Sequence, residues 1–263
     1  MRIATWNVNS IRQRLENLLT WLKECSPEIV CLQETKCTDE AFPRLEIESL
    51  GYNVVTHGQK TFNGVALLSK LPFDETKSGL AGDDEDAHAR FIEGVVTLKR
   101  GVMRVACLYL PNGNPAPGDK YTYKLKWMSR LLEYSRERLK AEEPLVLAGD
   151  FNVIPAAPDV YNPAAWVNDA LFLRPTRERF RALTNLGLTD AIRAVSDASD
   201  LYTFWDYQAG AFQKNDGIRI DHVMLSPQAA DRLADAGIDR HVRGWEKPSD
   251  HVPVYVDLDI EGR

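Results

Sequence analysis

The chain has 263 residues, is 44% hydrophobic and 27% charged, and carries a net charge of −6. This suits one large globular domain or two small ones and excludes a disordered or fibrous chain. No apolar run approaches the roughly 20 residues of a membrane span. The first strand pattern begins at Arg2 and leaves no room for a signal peptide, so a cytoplasmic protein with no membrane partner is expected. The acidic balance does not exclude nucleic acid, since a metal-dependent nuclease carries carboxylates in its own site.

In chain order, Arg2–Asn7 reads as a strand. Ser10 and Gln13 form a capping box for a helix with the stripe Ile11, Leu15, Leu18, Leu19, Leu22. Glu28–Gln33 is a buried strand running into Glu34, and Tyr52–Thr56, Gly64–Ser69, Phe91–Leu98 and Val102–Leu110 follow as strands. Lys120–Ala141 is a long amphipathic helix with Leu125, Met128, Leu131, Leu132 and Leu139 on one side. Leu145–Asn152 is an apolar strand that ends on Gly-Asp-Phe-Asn, and a helix at Thr176–Leu186 is closed by Gly187. Strands are expected at Leu201–Tyr207, Ile218–Leu225 and Val252–Ile260, with a hairpin signal at Asp216-Gly217, a short helix near Gln228–Ala236 and an extended stretch at Ile238–Arg243. No Gly/Ser/Pro-rich linker divides the chain, so two sheets packed face to face in a single domain over residues 1–263 are expected, with helices outside. The loops Pro111–Asp119 and Ile154–Arg174 are long enough to suggest function. Cys25, Cys31, Cys37 and Cys107 lack metal or disulfide spacing and read as reduced thiols.

The chemistry concentrates at strand ends. Asp150 and Asn152 alternate and share a face. Similar polar endings recur at Asn7 and Asn9, at Glu34, at Tyr109 and Asn112, at Asp221, and at Asp250-His251. Singly, each has a structural explanation: a capping carboxylate, a half-buried phenol, a histidine at a strand start. Jointly they require a coincidence at every strand end. If these ends share one rim, they form an oxygen-rich, thiol-free pocket suited to a hard cation, Mg²⁺ or Mn²⁺. Asp221 and His222 must face opposite sides of their strand, which makes His222 the structural histidine of the two.

In order, Trp6-Asn7-Val8-Asn9, Leu32-Gln33-Glu34-Thr35-Lys36, Leu108-Tyr109-Leu110-Pro111-Asn112-Gly113, Gly149-Asp150-Phe151-Asn152, Tyr202-Thr203-Phe204-Trp205-Asp206-Tyr207, Gly217-Ile218-Arg219-Ile220-Asp221 and Pro248-Ser249-Asp250-His251-Val252-Pro253-Val254 resemble the motif series of the exonuclease III family of apurinic/apyrimidinic endonucleases. The resemblance runs from Arg2 to Asp257. It implies an α/β, four-layered sandwich of two mixed β-sheets flanked by helices, the DNase I-like fold. It also implies Mg²⁺-dependent hydrolysis of DNA phosphodiesters that leaves a 3′-hydroxyl, at abasic sites, at 3′ ends, or both, on double-stranded DNA and by a monomer.

Residue by residue, the resemblance makes Glu34 the principal metal ligand, with Asn7, Asp250 and Asn9 around it. Asp150 and Asn152 would handle the attacking water. His251, oriented by Asp221, would donate to the phosphate, and Tyr109 would stabilise developing charge. Phe204, Ile218 and Ile220 match an apolar pocket for an extrahelical abasic sugar. Arg12, Lys36, Arg90, Asn112, Lys124 and Lys126 fall at DNA-phosphate positions, and Phe62 and Gln208 lie in loops that could enter the duplex. Trp166 and Val167, in the Ile154–Arg174 loop, would shape access to the site. The alternative is a superfamily phosphoesterase acting on a phospholipid or inositol phosphate.

Overall fold

The computed structural model describes residues 1–262. Its strands are β1 (Arg2–Asn7), β2 (Ile29–Gln33), β3 (Asn53–His57), β4 (Val65–Ser69), β5 (Glu75–Ser78), β6 (Phe91–Thr97), β7 (Val102–Tyr109), β8 (Leu145–Asp150), β9 (Thr189–Asp190), β10 (Asp221–Leu225), β11 (Leu233–Ile238) and β12 (Val254–Leu258). The helices are α1 (Leu15–Cys25), α2 (Arg44–Glu48), α3 (Asp119–Leu139), α4 (Arg174–Asn185), α5 (Ala191–Val195), α6 (Ala211–Lys214) and α7 (Pro227–Ala230). Two six-stranded sheets form, in the orders β11-β12-β1-β2-β4-β3 and β5-β6-β7-β8-β10-β9. β1 and β2 pair in parallel, as do β7 and β8. Parallel neighbours need a crossover, which α1 and α3 supply.

Period-2 alternation sorts the residues into layers. Ile3, Ile29 and Cys31 from the first sheet meet Val105, Cys107, Val146, Ala148 and Val223 from the second in one inner core. On the first sheet's outer face, Ala4 and Trp6 pack against Leu18, Trp21 and Leu22 of α1. Leu145 and Leu147, on the second sheet's outer face, pack against Trp127 and Leu131 of α3 and Phe180 of α4. The result is helix, sheet, sheet, helix. All four cysteines are free, and no described helix is long and apolar enough to cross a membrane.

Several local expectations give way to tertiary pairing. The capping box at Ser10 does not form: Asn9 (φ 44°) and Ser10 (φ 85°) are left-handed, and α1 starts only at Leu15 without a side-chain cap. Instead Ser10 N donates to Glu34 O at 2.8 Å and Ile11 N to Thr35 O at 3.2 Å, which ties this turn to the end of β2. Leu201–Tyr207 is not a strand; only Phe204 forms bridges, to Ile218 and to His251. β10 begins at Asp221, because Ile218 turns away to pair with Val160 and Phe204. Asp216-Gly217 therefore closes the turn after α6 rather than a tight hairpin. The helix expected over Gln228–Ala236 is a single turn, α7, capped by Ser226, and the chain then runs as β11 along β12. Ile238–Arg243 does not stay extended; it leads into a 3-10 helix at Arg240–Gly244. The short strands β5 and β9 carry no apolar alternation that would announce them.

Candidate active site

The register of the sheets builds the site. In the second sheet Tyr109, Asp150 and Asp221 are Cα partners across β7, β8 and β10. In the first, Asn7 is paired with Gln33, one residue before Glu34. Asn7, Tyr109 and Asp150 are each two residues on from an inner-face position and Asp221, at the start of the antiparallel β10, is two residues before one, so these four polar strand termini fall at the same rim of the gap between sheets. The Asn7 amide spans that gap, donating to Glu34 Oε1 at 2.9 Å and to Asp150 Oδ2 at 3.0 Å.

His251 reaches the rim from the segment before β12. Its Nδ1 donates to Asp221 Oδ2 at 2.8 Å, and its Nε2 lies 3.7 Å from Asp150 Oδ2. Burial opposes a charge on this ring, but the Asp221 and Asp150 carboxylates outweigh it and raise its pKa to about 10. Burial pushes Asp150 up to about 7, with His251 opposing the rise and Asp221 adding to it. For Tyr109, burial together with Glu34 and Asp150 lifts the phenol well above its usual range, so it stays protonated. Glu34 is half-buried, and although desolvation raises its pKa, the Lys36 ammonium and the Asn7 amide hold its carboxyl below the ordinary value. The arrangement thus offers a charged carboxylate, a cationic imidazole, a neutral phenol and a carboxyl poised to exchange a proton.

The donor set fits a hard divalent cation. Carboxylate oxygens of Glu34 and Asp150 lie within 4.8 Å of one another, while the His251 ring beside them is cationic and does not ligate. Glu34 Oε2 and Asn9 Oδ1 converge on one positive charge, the Lys36 ammonium, at 2.7 and 2.5 Å. Asp250 joins through Asn9, whose Nδ2 donates to Asp250 Oδ1 at 3.1 Å. Asn7 enters differently from the expectation, as a donor to the carboxylates, because its Oδ1 accepts from Asn9 N at 3.0 Å.

The remaining candidates divide. Asn152, at φ 48°, donates Nδ2 to Leu110 O at 2.8 Å and accepts from Asn112 Nδ2 at 3.2 Å. Arg90 lies 4.8 Å over the Tyr109 ring and donates to Tyr109 O, so it braces that residue. Arg12, Lys126 and Gln208 are exposed, as is Phe62 at 66%. Phe204 stands against the His251 ring, centroids 5.0 Å apart. Ile218 and Ile220, however, are only 1% and 3% exposed, covered by Ile154, Val160, Ala170, Leu171 and Phe172 of the long loop. Trp166 packs on the edge of that cluster and Val167 faces solvent. Lys124 departs most from the sequence reading. It is not on the surface but fully buried, its amine bonded to two backbone carbonyls.

The sequence reading missed four supports. Thr203 Oγ1 donates to Asp221 Oδ2 at 2.7 Å, and Ser249 Oγ donates to Asn7 O at 2.7 Å. Arg14 and Tyr207 bond each other at 3.0 Å beside Asn9. Thr203, Ser249 and Tyr207 lie inside the quoted motifs, but nothing in their spacing reveals which partner each one takes.

Residues 4–251 match the sequence profile of the Endonuclease/Exonuclease/phosphatase family. The chain is 34% identical to an exodeoxyribonuclease III of Haemophilus influenzae, over 98% of this chain and 100% of that one. The structure of an AP endonuclease from Archaeoglobus fulgidus superposes with a TM-score of 0.93 at 36% identity, covering 98% and 99% of the two chains. That of the 3′ phosphatase NExo from Neisseria, bound to product DNA hairpin, gives 0.95 at 37% identity with the same coverage.

Proposed function

Because the chain belongs to the Endonuclease/Exonuclease/phosphatase family, we propose that its strand-end rim is the active site of a metal-dependent DNA repair nuclease of the exonuclease III type. The observation that carries this reading is the inter-sheet cluster of Glu34, Asn7, Asp150 and the Asp221–His251 pair. The relatives compared above are named for exodeoxyribonuclease, AP endonuclease and 3′ phosphatase activities. In that company the phospholipid reading has no support. Incision 5′ to an abasic site, removal of a 3′ nucleotide and removal of a 3′ phosphate all break a P–O3′ bond and leave a 3′-hydroxyl, so one site serves all three.

Glu34 would hold the metal, with Asp250 and Asn9 beside it, and Mg²⁺ is the ion we infer, with Mn²⁺ able to replace it. When bound, such an ion neutralises phosphate charge and polarises the scissile ester. The chain's own groups do the rest. Asp150, its pKa near neutrality, takes a proton from the attacking water at a carboxylate oxygen, while the Asn152 amide orients that water. His251 is cationic and so acts as a donor rather than a base, giving Nε2–H to a non-bridging oxygen while Asp221 fixes the ring. Tyr109 donates its phenolic hydrogen to developing negative charge. Because all these residues come from one chain, the active unit we infer is a monomer.

Burial of Ile218 and Ile220 under the Ile154–Arg174 loop leaves Phe204 as the accessible apolar wall, which favours a 3′ terminus over an extrahelical sugar. The test is an end-labelled duplex carrying one abasic analogue and one recessed 3′ end, with Mg²⁺ or with chelator. Release from the 3′ end is expected to exceed incision by at least about tenfold, the factor that each ~1.4 kcal/mol of loop opening imposes. Chelator should abolish both. If neither product appears with Mg²⁺, the assignment of Glu34, Asp150 and His251 to a DNA-cleaving site is wrong.

A further inference from the structure

Lys124, in the second turn of α3, is 0% exposed. Its Nζ donates to Asn112 O at 3.0 Å and to Asn152 O at 2.5 Å. These carbonyls belong to the two loops that leave β7 and β8, the loops that carry the amides of the site. Everything beyond them is linked in series. Asn112 Nδ2 bonds Asn152 Oδ1 at 3.2 Å, Asn152 Nδ2 bonds Leu110 O at 2.8 Å, and Asn152 N bonds Asp150 Oδ1 at 2.9 Å. Asn152 also has a left-handed backbone, φ 48°, an uncommon conformation that must be held by its surroundings. The lysine stem is confined as well, since a Cβ on Gly113 (φ +90°) would stand 2.6 Å from Lys124 Cδ.

An ammonium is an expensive way to join two loops, because its desolvation must be offset by bonds and opposite charge. A buried apolar residue would pack as well; it would neither pin two carbonyls nor place a positive charge behind Asp150. Burial lowers the amine's pKa to about 7, with Asp150 and Asp169 opposing the drop.

We propose that Lys124 is a positioning residue for phosphodiester hydrolysis, fixing the carbonyls of Asn112 and Asn152 and thereby the aim of both side-chain amides and of Asp150 at the reacting phosphate. The proposal rests on the nuclease reading above. It replaces the assignment of Lys124 to a DNA phosphate, and the two make opposite kinetic statements.

Lys124→Met keeps the length of the side chain and removes the donors; Lys124→Gln keeps a neutral donor. With a DNA substrate and Mg²⁺, K124M is expected to lower kcat about 100-fold, the loss that misplacement of about 1 Å produces. KM and the salt dependence of DNA binding should stay at wild-type values, and K124Q should recover about tenfold of the lost rate. In an N152A background, K124M should cost less than about threefold more, because both changes break the same chain of contacts. A raised KM with a shallower salt dependence and unchanged kcat would show a phosphate contact and overturn the proposal. So would full additivity with N152A.

A second measurement needs no substrate. The side-chain amide NMR signals of Asn112 and Asn152 should move in K124M, or in K124Q if the Met variant does not fold, and unmoved signals would refute the positioning role. If wild-type protein cuts no DNA, the nuclease reading fails, and these signals alone decide whether Lys124 aims the two amides.

Discussion

Glu34 (φ 52°) and Lys36 (φ 53°) hold a left-handed backbone that side chains of their kind rarely adopt. Strain of this sort costs about 1–3 kcal/mol per residue. It persists because Ser10 N, at 2.8 Å, grips Glu34 O while Lys36 N donates to Asn63 O at 3.0 Å. Both residues thereby turn toward Asn9 and Asn7, where a relaxed strand exit would carry Glu34 away. His222 shows the opposite use of an ionisable group. It sits on the outer face of β10 between Phe151 and Phe180, accepts from Arg219 at Nδ1 and donates Nε2–H to Val153 O at 2.9 Å. Burial lowers its pKa to about 4, Arg219 pushes the same way, and Asp190 and Asp159 oppose. Between roughly pH 6.5 and 4 the unfolded chain binds a proton that the folded chain refuses. Stability should therefore fall as pH drops through that window and be fully kept above it. Urea unfolding at pH 7 and pH 4.5 tests this: the loss on acidification should be smaller in His222→Gln than in wild type by roughly 2 kcal/mol. Equal losses would mean that His222 is not held neutral.

At the scale of elements, α1, α3, α4 and the apolar strands were legible because burial on one or both faces imposes a period that survives in the sequence. β11 and β9 were not, because their pairing with β12 and β10 is a tertiary choice that short, mixed segments do not encode. The Ile154–Arg174 loop is the clearest case. Its length marked it, but its conformation is set by a buried charge cluster. Asp159 accepts from Arg219 Nε and Arg193 Nη2, each at 2.6 Å, while Arg219 also bonds Asp190 at 2.8 Å. These contacts hold the loop down on Ile218 and Ile220. Asp159→Asn leaves the Arg219 cation, 1% exposed, short of its counter-charge. That change should cost about 3–5 kcal/mol, a drop in Tm of about 10 °C for a chain of this size. Hydrogen exchange should rise first within residues 154–172. A variant with wild-type Tm and exchange would show that the loop is held by its apolar contacts alone.

Over the whole molecule, the two halves of the chain are interleaved rather than adjacent. β12 closes the first sheet against β1, β8 extends the second along β7, and the inner core draws on both sheets at once. On this basis we propose that the chain forms a single domain. Fragments 1–142 and 143–263 made separately should each lack cooperative unfolding, since each loses sheet partners and one wall of its core. Mixing them is expected to restore a cooperative transition. Cooperative folding of either fragment alone would show two domains.

The sequence by itself marked the polar residues that gather at the strand ends, and period 2 placed Asp221 and His222 on opposite faces; Asn152 lies beyond the end of β8 with a left-handed backbone, so alternation does not fix its direction. It also carried, in its motif order, the family and the four-layer architecture. Only the tertiary structure decided that Asn7 bridges the sheets as a donor, that Thr203 holds Asp221, that Ile218 and Ile220 lie under a loop, and that Lys124 points inward. Alternation is a local property of the backbone and can be read along one strand. Which carbonyl meets a long flexible side chain, or which loop covers an apolar pair, depends on groups far apart in the chain, and no local period records them.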